Sequence, residues 1–198
     1  MKRKDLLPLA VLALIVGPAT VRLFWKPKPE PAPEPVFLEA PKVVPRAATA
    51  PDWFAEVRPR CTPADVRLAT DLNPPPAGVE GVGYKAACFG IARQIPTARS
   101  LLLSLPEGDR IPAATVVYEV AEALASEGRH DVAGPLMELV LEFWPDHYMA
   151  LYEAGTARFV TGDGPGAHGL LARFLEVYRD EDTLTANARN MMERMAER

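Results

Sequence analysis

The chain has 198 residues, of which 48% are hydrophobic and 8% aromatic, with a formal net charge of −4. That length holds one domain with appendages. Residues 1–51 carry 8 basic and 4 acidic side chains, a balance of +4, whereas residues 52–198 carry 14 and 22, a balance of −8. A folded part so acidic repels phosphate backbones, which argues against a nucleic-acid partner, and its plainest use is solubility.

The first element is an apolar run from Leu6 to about Trp25, preceded by Lys2, Arg3 and Lys4. Some twenty helical residues at 1.5 Å each span about 30 Å, the thickness of a bilayer's hydrocarbon core. Residues 1–25 are therefore read as an N-terminal signal anchor, a single transmembrane helix, with Trp25 at the interface and Arg22 snorkelling. A cleaved signal peptide is the competing reading, since the basic start and the apolar core Leu9–Val16 fit that as well. Its small-x-small site exists only as Gly17-Pro18-Ala19, with a proline inside it, and no cysteine follows closely enough for a lipoprotein site. Basic residues flank both ends of the run, so orientation leans only slightly toward an inside N-terminus and an extracytoplasmic, periplasmic domain.

Residues 26–51 form a Pro-rich linker. Eight of the 21 prolines lie there. Proline fixes φ and biases its predecessor toward extended geometry, so this stretch is a polyproline II or disordered stalk reaching roughly 80 Å at about 3.1 Å per residue.

Residues 52–113 read as irregular helical hairpins. Pro51 opens a short helix that puts Trp53, Phe54 and Val57 on one face. Thr62 caps a second, Pro63 to Leu72, with Val66, Ala69 and Leu72 inward. A third, Glu80 to Arg93, is rich in small residues at Gly83, Ala86, Ala87, Gly90 and Ala92, a close-packing surface. A fourth runs from Thr97 to Leu105, and Pro106-Glu107-Gly108-Asp109 stops it. Cys61 and Cys88 fall where an antiparallel hairpin lets them face each other, so in an oxidising compartment they are candidates for a disulfide. Its loop of about 27 residues gives roughly 3 kcal/mol by chain entropy. Two buried free thiols are the alternative.

Residues 114–181 write one pattern twice. Val117-Tyr118-Glu119-Val120-Ala121 recurs as Leu151-Tyr152-Glu153-Ala154-Gly155, Gly128 as Gly162, Ala133 as Ala167, and Leu136 as Leu170, every pair separated by the same step along the chain. A fixed period of about 34 residues marks stacked helical repeats. The first helix is expected from about Pro112 to Glu127, with Asp131 capping its partner and Pro135 falling near that partner's first turn. Thr183 caps a final helix in residues 182–198, whose Leu184, Ala188, Met191 and Met195 form one apolar face, as a terminal cap requires.

Unit length, the small residues at 121 and 155, and the turn glycines together resemble the tetratricopeptide repeat (TPR) family. Val140 and Phe174 depart from it, standing where the family has small residues, and Arg179 replaces the second unit's proline. Residues 82–106 resemble a shortened, degenerate copy. The resemblance implies an all-α, TPR-like helical-hairpin solenoid whose first helices line a concave groove for a peptide or helix. By position that partner-binding groove is lined by Thr115, Tyr118, Glu122, Met149, Tyr152, Thr156 and Phe159, with Tyr118 and Tyr152 stacked in a ladder.

No catalytic constellation emerges. His130, His147 and His168 lack metal-ligand spacing and read as ordinary surface histidines. Gly81-Val82-Gly83 lacks the rest of a phosphate loop, and Gly162–Gly166 follows a helix rather than a strand. The expectation is a non-catalytic protein with no cofactor and no metal: a membrane-tethered protein–protein interaction scaffold in an envelope assembly. The alternatives are a self-associating accessory subunit of a secretion, motility or envelope machine, or an exported soluble repeat protein. Partner identity and oligomeric state stay open.

Overall fold

The computed structural model describes residues 49–197, and among them every regular element is helical. The expected transmembrane helix at 1–25 and nearly all of the 26–51 linker lie outside the described residues. No helix among those described is long and apolar enough to cross a membrane.

Helix α1 (Ala50–Val57) starts at Thr49, whose hydroxyl accepts the Asp52 N–H at 3.3 Å. Ala50, Trp53, Phe54 and Val57 are its buried face. The fully buried Trp53 donates its indole N–H to the Asn73 carbonyl at 2.7 Å, which ties α1 to the end of α2 (Val66–Leu72). Between them runs a single 3-10 turn, Arg58–Arg60. Helix α2 begins three residues later than the sequence suggests, because Thr62 spends its hydroxyl on the Asp65 N–H, 3.2 Å away, in a local turn. Val66 and Ala69 point inward, but Leu72 is 72% exposed. Six residues at about 100° each carry Leu72 some 240° round from Val66, off the one face that this short helix buries.

Helix α3 (Val79–Ile91) is the close-packing element. A Cβ placed on Gly83 would lie 2.8 Å from both the Ala113 carbonyl oxygen and Val116 Cβ, and one on Gly90 would lie 2.1 Å from Leu136 Cδ2. Only the missing side chains let α3 meet α5 (Glu107–Ser126) and α6 (His130–Phe143) at this range. Cys88 on α3 is joined to Cys61, with Cα atoms 5.0 Å apart, and both residues are buried.

Helix α4 (Ile95–Leu103) is short, and α5 starts at Glu107, earlier than the expected Pro112. Residues 106–109 thus open a helix as well as ending one. Glu107 and Asp109 favour the positive end of its dipole. Pro112 then lies inside α5, where it forgoes one backbone bond. Arg110 reaches back to the end of α4, donating to the Leu105 carbonyl at 3.1 Å and the Leu103 carbonyl at 3.3 Å.

The remaining elements are α7 (Tyr148–Thr161), α8 (Gly164–Val177) and α9 (Thr183–Ala196). Arg129, not Asp131, occupies the cap position of α6, and Pro135 is its sixth residue, one turn deeper than expected. Asp182, not Thr183, caps α9, in a reciprocal box with Thr185.

Three helix ends share one geometry. Arg93, Gly128 and Gly162 all have positive φ, at 60°, 76° and 87°. The residue after each donates back to the fifth residue before it: Gln94 to Phe89, Arg129 to Leu124 and Asp163 to Arg158, each at 2.9 Å. This is the left-handed cap that ends a helix before a sharp turn. Glycine takes it freely, while Arg93 carries a Cβ penalty of about 1–2 kcal/mol.

One large buried cluster spans α1 to α6 and ends on Ala150 and Ala154 of α7. A second joins Leu151 and Tyr152 of α7 to Leu171 and Phe174 of α8 and to Ala188 and Met191 of α9. Helix α7 serves both, so α8 and α9 depend on it. Val140 and Phe174, the two large departures from small-residue positions, are fully buried. Close approach moves to their neighbours: a Cβ on Gly134 would stand 2.8 Å from Ala157 Cβ. Val177, the last residue of α8, is 38% exposed.

Two outcomes test this packing. Reduction, or Cys88→Ala with Cys61→Ala, lowers unfolding stability by roughly 3 kcal/mol in urea titrations of the full chain. Gly83→Ala lowers it by about 1–2 kcal/mol despite the better helix propensity of alanine, because the Ala113 carbonyl lies within a helix and cannot yield alone.

Candidate interaction surface

Thr115, Tyr118 and Glu122 lie on α5; Met149, Tyr152, Thr156 and Phe159 lie on α7. The structure divides these seven. Tyr118 is half-buried, and its ring lies 4.4 Å from that of His147. Glu122 is exposed, and its charge falls on both Tyr118 and His147. Met149 and Thr115 are half-buried, and Thr115 returns its hydroxyl to the Ile111 carbonyl at 3.0 Å. Tyr152, by contrast, is only 9% exposed and packs 5.3 Å from the Phe174 ring in the second core cluster. Phe159 also packs against that cluster, under the Arg194 guanidinium at 5.2 Å. The expected Tyr118–Tyr152 ladder is therefore replaced by two separate pairings. The reason is volume: α8 and α9 need the bulk of Tyr152 and Phe159 to close their own core.

A different aromatic series forms. Tyr118 and Trp144 both contact His147, at 4.4 and 4.5 Å; His147 neighbours Tyr148, and Tyr148 stacks on Tyr178 at 4.8 Å. Tyr178 in turn stacks on Phe174 at 5.3 Å. Trp144 and Tyr148 remain 40% and 41% exposed. His147 is no ordinary surface histidine. Its Nδ1 accepts the Ala150 N–H at 3.2 Å and so caps α7. Burial pushes its pKa down, favouring the neutral ring that this cap requires.

The electrostatics of α3, α5 and α7 share one theme. Burial, then the charge of Glu119 and then of Glu80, raises the pKa of Tyr84. Burial, then Glu122 and then Glu153, raises that of Tyr118. Glu153 is itself pushed above the ordinary carboxylate range by burial and by Glu122, with His130 opposing. Tyr84 stands one repeat period before Tyr118, so the period alone points to it; the degeneracy of residues 82–106 hides it in the sequence pattern. Beside Glu153, the buried His130 Nδ1 and Thr156 Oγ1 have no hydrogen-bond partner among the described residues.

The ion pairs lie elsewhere. Arg99 grips Glu142 through two bonds of 2.5 Å between α4 and α6. Arg158 of α7 holds Glu138 of α6 through two bonds of 2.6 Å and also pairs with Asp163. Arg58 reaches Glu127, Arg93 reaches Asp131, and Arg173 reaches Asp146. Among the described residues no group of three potential ligands could hold a metal ion.

Glu153→Gln should raise Tm at pH 7 by roughly 2–4 °C. The native pKa of Glu153 is raised, so its destabilising charge is fully present above that value. The margin over wild type shrinks as pH falls through the raised value and vanishes below the ordinary 4.5. Differential scanning calorimetry of both chains between pH 4 and pH 8 reads it.

Comparison with family models, with curated proteins and with solved structures finds no match to this chain.

Proposed function

We propose that this chain is a membrane-tethered, non-catalytic scaffold of TPR-like architecture, holding a protein partner in an envelope assembly. The observation that carries the reading is the recurrence of surroundings at the sequence period. Ala87, Ala121 and Gly155, each one period after the last, are all buried, as are Leu102 and Leu136 at the same step. The three left-handed helix caps, at Arg93, Gly128 and Gly162, recur at nearly the same step. On this reading α3–α4, α5–α6 and α7–α8 are three successive hairpins and α9 is the terminal cap. Helices α3, α5 and α7 then form the inner wall, with Tyr118, Glu122 and Met149 as the contact residues.

The apolar run at Leu6–Trp25 supplies the tether, and the Pro-rich stalk supplies reach. A tether raises local concentration, so modest groove affinity suffices. The Cys61–Cys88 bond supports an extracytoplasmic domain, because such bonds persist in oxidising compartments.

A photo-crosslinking residue at Met149, in membranes of the native host, yields a discrete protein adduct, and Tyr118→Ala abolishes it while leaving Tm within about 3 °C. Recovery of the same adduct from Tyr118→Ala would discard the groove. In intact cells, maleimide labels neither cysteine without reductant; labelling of both would put the domain on the reducing side.

A further inference from the structure

The aromatic rings left open to solvent gather at one place. Among the large apolar side chains exposed on the described surface, only Trp144 and Tyr148 are aromatic, and both neighbour the His147 ring, at 4.5 and 6.3 Å. Tyr148 continues onto Tyr178, nearly parallel at 13° and 4.8 Å away, and Val177 next to it in the chain is exposed as well. The other exposed apolar residues are aliphatic and stand on α2, α4, α5 and the opposite end of α7.

The two described tryptophans differ at their polar edge. Trp53 is buried and gives its indole N–H to the Asn73 carbonyl, whereas that of Trp144 meets no acceptor among the described residues. The ledge therefore combines flat apolar rings with one available donor. Stepped aromatic rings seat proline rings, and an indole N–H beside them binds a carbonyl of a backbone that makes no hydrogen bonds of its own. Polyproline II meets both needs. An amphipathic helix meets neither, because its carbonyls are bonded within it.

The chain carries such a segment. From Lys26 to Pro35 every second residue is proline. Polyproline II has three residues per turn, so Pro27, Pro29 and Pro31 fall on three different edges of that helix. A proline then faces the ledge at any rotation about the axis. Lys26 and Lys28 balance Glu30 and Glu34, which leaves the segment neutral and suited to an apolar surface. Residues 36–48 link it to the described domain, a reach of up to about 40 Å at roughly 3.1 Å per residue. That link enters at Thr49, which opens α1 in the first buried cluster, whereas the ledge runs into the second. A neighbouring molecule's ledge is met without turning back across the first cluster.

We propose that the ledge of Trp144, Tyr148 and Tyr178 binds the proline segment Lys26–Pro35 of a second copy of this chain, two copies exchanging segments in a reciprocal pair. The contact uses neither Glu122 nor Met149, so it goes beyond the scaffold reading and does not depend on its groove.

Two full-length variants in zwitterionic detergent test it. One has Pro27, Pro29, Pro31, Pro33 and Pro35 replaced by alanine and keeps the ledge. The other, Trp144→Ala with Tyr148→Ala, keeps the prolines. Energy transfer between donor-labelled and acceptor-labelled chains should appear for wild type and vanish for either variant alone. It should return when the two variants are mixed, because one supplies the ledge and the other the segment. By fluorescence anisotropy, a labelled peptide of residues 26–35 should bind the proline-free variant. The same peptide with alanine at every proline should bind it roughly tenfold more weakly or worse. Trp144→Phe in the proline-free chain keeps a ring and loses the N–H, and should weaken the peptide by roughly two- to tenfold. Circular dichroism checks folding; if the double alanine variant unfolds, the Trp144→Phe measurement decides the ledge. Equal binding of the two peptides, an unchanged affinity in Trp144→Phe, transfer that persists in either variant alone, or none in wild type would overturn the proposal. If the peptide binds but the mixed variants show no transfer, the segment lies on its own chain's ledge and the exchange between copies falls.

Discussion

The described fold depends on how closely helix backbones approach at a few residues without bulk. Gly83 lies against the Ala113 carbonyl, Gly90 against Leu136, Gly134 against Ala157, and Gly155 against Leu171. At each point a single methyl group would force a neighbour to move. Such contacts fix the distance and register between helices more sharply than interdigitating leucines do, because nothing flexible lies between. The large side chains, Trp53, Leu102, Leu136 and Phe174, then fill the wedges that open beside each close contact. The hydrophobic effect supplies the drive, and the small residues supply the geometry.

Polar groups follow the same division. Arg99–Glu142 links α4 to α6, and Glu138–Arg158 links α6 to α7. Exposed pairs of this kind contribute little stability singly, roughly 0–1 kcal/mol. Burial of Glu153 next to Glu122 is unfavourable to the isolated fold.

The aromatic series from Trp144 to Phe174 gives the end of the domain a different character. It is continuous from an exposed ledge to the second core cluster. His147 stands at its branch point, capping α7 while its ring fills the space between Tyr118 and Trp144. A neutral imidazole does both; an imidazolium would lose the cap and carry charge into a poorly solvated place.

Helical character, the number of helices after residue 114, their apolar stripes and the turn glycines were legible in the amino-acid sequence, because each is local: periodicity, propensity and left-handed caps act within a few residues. Ala87, Ala121 and Gly155 announced close packing for the same reason. The start of α5 at Glu107 was not legible, since Pro106 to Asp109 serve equally as a stop and as an N-terminus, and only the early end of α4 and the reach of Arg110 choose between them. Nor was the division of the seven groove positions. Tyr118 and Tyr152 occupy equivalent repeat positions, yet one is half-buried against a histidine and the other is core. What separates them is which helices come next: α9 closes over Tyr152, while α5 has a neighbour of a different kind. Composition and period determined the helices and their spacing; tertiary packing decided which of two equivalent side chains stays partly exposed, because exposure depends on neighbours that lie far away along the chain.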